Sequence, residues 1–111
     1  MLATILVAVA SLSTLYAARS QATVAADAAA LAAASASFEG TGQGSPLAAA
    51  RSVAQLNGAR MLLCRCASDQ SMRQRTVEVV VAIDVAVPLF GAHSVKATAR
   101  AEFDPRVWLG R

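Results

Sequence analysis

The sequence predicts an α+β protein: a long N-terminal helix, a short second helix and a three-stranded antiparallel meander. Three observations lead there. Residues 1–18 are apolar and uncharged and run into an alanine-rich stretch without a break. A Ser-Pro start and an Asn-Gly stop bracket a short helical pattern at 46–57. The last forty residues hold two runs that alternate apolar and polar side chains. In 111 residues there is room for one domain.

The first element begins MLATILVAVASLSTLYAA, with no charge, no Pro and no Gly. As a helix these eighteen residues span about 27 Å, close to the roughly 30 Å of a bilayer's hydrocarbon core. Three readings fit this segment. A membrane anchor satisfies the length threshold, and the helical pattern carries on past it. A cleaved signal peptide would use Ser20-Gln21-Ala22, a better small-x-small site than Leu15-Tyr16-Ala17, but its apolar core would be long and has no basic region before it. The third is a helix buried in a soluble core. Arg19, the first basic residue, lies on the C-terminal flank, which by itself hints at an inverted topology. A start that omits a basic leader explains the same pattern.

Ala is the best helix former, so residues 19–37 extend the helix. An alanine coat buries little area per residue but lets another helix or a sheet approach closely, as small residues do in membranes. Plain helix propensity in an alanine-rich chain explains it equally well. The run Glu39-Gly40-Thr41-Gly42-Gln43-Gly44 ends the helix and makes 38–45 a flexible loop.

The head occupies 46–104, with 105–111 as a tail. Ser45 is placed to cap a helix with Pro46 at its first position, and Gly58 after Asn57 to end it in a left-handed conformation. Leu47, Ala50, Val53 and Ala54 share one face of this helix. Ala59–Cys66 is a short apolar strand. Thr76–Val87 puts Val77, Val79, Val81, Ile83, Val85 and Val87 on one face and Glu78, Val80, Ala82, Asp84 and Ala86 on the other. Ser94–Phe103 turns Val95, Ala97, Ala99, Ala101 and Phe103 inward and Ser94, Lys96, Thr98, Arg100 and Glu102 outward. The polar connector 68–75 and the turn 88–93 join these strands. One apolar and one wet face per strand describe a sheet covered on a single side. Its cover is either the 46–57 helix or the C-terminal part of the long one. So thin a core makes the head marginal alone and dependent on a membrane, a partner or further copies.

Charge and chemistry exclude more than they assign. The net charge of +3 is scattered, with Lys96 the sole lysine, which does not fit nucleic-acid binding. Cys64 and Cys66 on one strand face would stand about 6.5 to 7 Å apart, poor geometry for pairing with each other. Buried thiols, a disulfide to another chain, and metal or redox chemistry all remain open, although His93 is the one histidine available as a further ligand. Glu78 and Asp84 share a face at about 20 Å, too far for a catalytic pair. His93 lies in the turn before the last strand with no Ser, Cys or carboxylate in an obvious partnership. No phosphate loop, metal-spaced cluster or nucleophile motif occurs, so the expectation is a non-enzymatic protein with no catalytic, cofactor or metal residue and no small-molecule substrate.

Arg19–Ala34, RSQATVAADAAALAAA, resembles the actinobacterial TadE-like family, also labelled secretion or helicase-neighbourhood TadE-like proteins. Asp27 matches that family's acidic position and Ala28–Ala34 its Ala-Leu-Ala run. Asn57-Gly58-Ala59 matches the turn and Cys64 the following cysteine, so the resemblance covers nearly the whole chain. It implies a minor-pilin-like or pseudopilin-like protein of tight-adherence (Flp) pilus assembly or a related secretion apparatus. The implied partners are membrane lipid and other membrane or pilin-like subunits, met through the N-terminal helix. The implied location is the cell membrane, single-pass, with an extracytoplasmic head. Two departures limit it. The apolar run contains no Gly cleavage point and no Glu, so peptidase processing and filament incorporation are not carried over. Pro46–Asn57 lacks the further cysteine of many relatives, so their intradomain disulfide is not carried over either. The opposing expectation is a secreted or anchored binding module that recognises a partner through a strand edge, with no pilus role.

Overall fold

A computed structural model describes residues 1–37, 45–66, 74–88 and 90–104. The order is α1 (Leu2–Ala36), α2 (Pro46–Leu56), β1 (Arg60–Arg65), β2 (Arg75–Val87) and β3 (Gly91–Phe103). The three strands form one antiparallel sheet in the order β1-β2-β3. This is the expected α+β meander. The Gly-rich loop, most of the 68–75 connector and the 105–111 tail lie outside the described residues, as does the side chain of Phe103.

α1 is unbroken for 35 residues, about 52 Å at the helical rise. From Ser11 onward it lies along the sheet, and residues 2–10 extend past the contact at Pro88. The Arg75 guanidinium donates to the Ser37 carbonyl at 3.2 Å, and the Ser11 hydroxyl donates to the Pro88 carbonyl at 3.3 Å. The two contacts fix the ends of β2 to points 26 residues apart on α1, so β2 runs antiparallel to the helix and β3 parallel to it. Lengths agree: twelve strand steps and twenty-six helical steps both cover about 40 Å.

The core sits between them and is built from small side chains. Ala22, Ala25, Ala26, Ala29, Ala30, Ala33 and Ala34 of α1 are buried in one cluster with Val77, Val79, Val81 and Ile83 of β2 and Ala99 and Ala101 of β3. These alanines recur every three or four residues, so they form one stripe, and the stripe meets the inward ladder of β2. The coat of the long helix is thus occupied by the chain's own sheet. The two candidate covers share the work: α1 packs on β2 and β3, while α2 packs on α1 and β1.

α2 begins and ends as its sequence dictates. Ser45 accepts a hydrogen bond from the Ala48 amide at 3.1 Å, with Pro46 following it. At the other end the Ala59 amide donates to the Ala54 carbonyl and Gly58 to Gln55, with Gly58 at φ +75. This six-to-one, five-to-two pair is a Schellman stop, which needs the left-handed residue that glycine supplies. The buried face differs in one member from the expected set. Pro46, Ala50 and Ala54 are buried and Val53 half-buried, whereas Leu47 is exposed. Successive fourth residues 46, 50 and 54 define the contact line, and Leu47 falls a hundred degrees off it.

β1 carries a bulge. Met61 pairs with Val81, but Leu63 pairs with Val80, so Leu62 is an extra residue. The bulge sends Met61 and Cys64 to the core side and leaves Leu62 and Leu63 exposed. β3 starts three residues earlier than its alternation alone implied, because the β2–β3 turn is tight and Gly91 takes φ +78.

Cys64 and Cys66 are joined to each other, contrary to the spacing argument above. A separation of about 6.5 to 7 Å holds only for continuous extended strand. Instead β1 ends at Arg65, Cys66 is outside the ladder, and the two Cα atoms lie 5.3 Å apart, within disulfide range.

Candidate functional site

Among the described residues, the exposed surface of α1 holds most of the large apolar side chains that the fold leaves uncovered. Leu2, Ile5, Leu6, Val9, Leu12 and Tyr16 are all exposed, Leu6 and Leu12 to 68% each. In residues 2–10 no side chain is buried, and the apolar residues surround the helix rather than forming a single stripe. A helix that is apolar all round belongs in a bilayer or a core. α1 is long and apolar enough to cross a membrane. Two of its hydroxyls suit that setting: Thr14 donates to the Ala10 carbonyl at 2.9 Å and Ser11 to the Pro88 carbonyl, so neither calls for water.

Beyond Arg19 the helix changes character. Its outward side carries Thr23, Val24, Asp27 and Leu31, all exposed, with Val24 and Leu31 the large apolar members. Asp27, the acidic position of the family resemblance, is on this outward side.

The far face of the sheet is polar and cross-linked. Arg60 of β1 forms a bidentate pair with Asp84 of β2, both bonds at 3.0 Å, and Ser94 of β3 donates to the same carboxylate at 2.6 Å. The Arg60 hydrogen bond, then that of Ser94, hold the Asp84 carboxyl at about 2, below the usual carboxylate range. The same pairing raises Arg60. Closer to Arg75, Glu78 accepts from Arg100 at 2.9 Å and faces Arg65 at 3.6 Å. Each acid of β2 therefore ties all three strands together. Such exposed pairs set strand register more than they stabilise.

The residues with chemical potential do not converge. Glu78 and Asp84 are each committed to separate arginines. His93 has its Nε2 3.0 Å from the Phe90 carbonyl, in the hairpin turn. Among the described residues no three of His, Cys, Asp and Glu gather in a metal-binding group. What sequence reasoning missed is a groove of about 600 Å³ between α1 and the hairpin tip, lined by Ala8, Ser11, Leu12, Leu15, Val87 and Phe90 among others. It is made by two stretches of chain 72 or more residues apart, and no local pattern announces it.

Comparison with protein-family models, with curated proteins and with solved structures finds no match for this chain.

Proposed function

We propose that this chain is a membrane-anchored, non-enzymatic subunit of TadE type, minor-pilin-like or pseudopilin-like, that serves in building a tight-adherence (Flp) pilus or a related secretion apparatus. The observation that carries the reading is the division of α1: an exposed apolar end continuous with the spine of a small α+β head. The apolar end enters the membrane of the cell, and the head stands on its outer side. Other membrane or pilin-like subunits meet the helix on the side its own sheet leaves open, at Leu6 and, beyond the bilayer, at Val24 and Leu31.

The burial of Ser11, Ala18 and Ala22 weighs against a removable leader. Cleavage after Ala22 would strip the helix from the upper half of the sheet and expose Val85 and Val87 to water.

The test is photo-crosslinking from Leu6, Val24 and Leu31 in native membranes. The expected result is adducts to a second copy or to another integral membrane protein at one or more positions. Lipid adducts alone at Leu6 and none at Val24 or Leu31 would defeat the subunit role. A mature N-terminus at Thr23, read by mass spectrometry, would defeat the anchor as well.

A further inference from the structure

We propose that the tip of the β2–β3 hairpin, at Pro88 and Phe90, is a second membrane contact that dips into the interface beside α1 and fixes how deep and how upright the head stands. This rests on the membrane reading of α1. The occupant of the tip and of its groove is lipid.

The first ground is level. Ser11, hydrogen-bonded to the Pro88 carbonyl, stands eight residues inside Arg19, the first charge on α1. Eight helical steps are about 12 Å. With the charge-free segment in the bilayer and Arg19 at its edge, the hairpin tip cannot remain in bulk water.

The second ground is independent and lies in the hairpin itself. Between Asp84 and Lys96 neither strand nor turn holds an acidic or basic residue other than His93. Asp84 is four residues from Pro88, about 13 Å of strand. The first charges on the hairpin and on the helix thus fall at one height, with the Arg60–Asp84–Ser94 cluster marking the sheet's side of it. Chain segments separated by more than sixty residues share one charge boundary.

The third ground is the surface between the two elements. The groove of about 600 Å³ opens among Leu12, Leu15, Val87 and Phe90, and Phe90 is 68% exposed. An apolar groove facing water is costly; facing lipid it takes an acyl chain. Tyr16, 79% exposed, stands between Ser11 and Arg19, where aromatic rings favour the headgroup region.

Depth is bounded from the other side by the backbone. β1 pairs no further than Ala82, so beyond it β2 and β3 form a two-stranded ribbon with open edges. Open edges do not persist in the hydrocarbon core, where nothing satisfies their amides and carbonyls. The tip therefore rests in the interfacial layer, where headgroups and water do so, and His93 keeps its bond to the Phe90 carbonyl there.

Single-tryptophan quenching tests this on the full chain in phosphatidylcholine/phosphatidylglycerol vesicles. Trp108→Phe removes the native indole. Into that background go Ile5→Trp, Phe90→Trp and Gln74→Trp, all at exposed positions and the last at the far end of the sheet. Lipids carry bromine near the carbonyl or near the chain end. Phe90→Trp should lose about half its emission or more to the shallow bromines and less to the deep ones, as interfacial burial of 5–10 Å requires. Ile5→Trp should be quenched by the deep bromines and Gln74→Trp by neither. If Ile5→Trp is quenched while Phe90→Trp is not, the anchor stands and the tip proposal fails. If neither is quenched, both fail. Equal quenching at Gln74 shows a head lying flat and overturns the fixed depth. Phe90→Trp shielded from bromines and from aqueous acrylamide alike would place a second copy on the tip and overturn it too.

Discussion

The two halves of α1 are one helix with opposite rules. In residues 2–17 the large side chains, Leu6, Val9, Leu12 and Tyr16, are exposed. In residues 18–36 the buried side chains are all alanine, and the large ones, Val24 and Leu31, again point out. Burial here selects for smallness rather than for apolar area. A head that uses alanine at its helix–sheet contact gains close approach and gives up transfer energy, about 25 cal/mol for each Å² left uncovered. The large residues of α1 are left on its exposed surface.

That contrast can be broken most severely in the first half. Leu6→Arg places a charge in the apolar segment and costs about 3 kcal/mol of insertion, on the order of a hundredfold in partition. Vesicle flotation should move the variant to the soluble fraction, while Val24→Arg, beyond the charge boundary, should still float. Equal behaviour of the two would erase the distinction between the halves.

In the second half the sensitive property is volume. Ala29, fully buried in the helix–sheet cluster, has no room for a larger side chain. Ala29→Leu should destabilise the head by about 1–3 kcal/mol, read by denaturant melts in detergent. Leu6→Ala, on the exposed side, should leave those melts unchanged.

A smaller effect is expected where α2 turns into β1. Gly58 has φ +75, and a Cβ there would come within 2.7 Å of the Gln21 amide nitrogen. That amide donates to the Asn57 carbonyl at 3.1 Å, tying the turn to α1. Gly58→Ala should cost about 1–2 kcal/mol, most of it from the left-handed backbone because the Gln21 side chain can swing aside. Adding Gln21→Ala should recover only the minor part.

The least effect belongs to the polar face. Asp84 titrates at about 2 in the folded chain and near 4 when unfolded. Its contribution is therefore complete above about pH 4 and is lost as pH falls through about 2. Carboxyl chemical shifts should locate that titration, and Asp84→Asn should remove the step without altering stability at neutral pH by more than a small amount.

Much of this fold is legible in local pattern. Ser45-Pro46 and Asn57-Gly58 specify the ends of α2 through capping chemistry that needs no tertiary partner. Strict alternation in β3 and the Val and Ile positions of β2 name the inward face, since successive side chains of a pleated strand point to opposite sides, but Ala82 on the other face of β2 is buried as well. Three features were not legible. The Leu62 bulge depends on which β2 residue each β1 residue meets, and a short apolar run such as RMLLCR does not encode a register. The Cys64–Cys66 bond depends on where β1 stops. The groove and the shared charge boundary require knowing that the hairpin lies along α1 as far as Ser11, a contact between residues 77 apart.

The alignment of α1 with β2 and β3 has a mechanical consequence. A load applied along the helix axis, as in any assembly that pushes or draws a subunit through a membrane, acts parallel to the whole helix–sheet contact. The alanine–valine seam is then strained in shear, with every layer from Ser11 to Ser37 sharing the force at once. A helix leaving the sheet at an angle would instead peel it open one layer at a time. A load along α1 is therefore borne by the whole seam together.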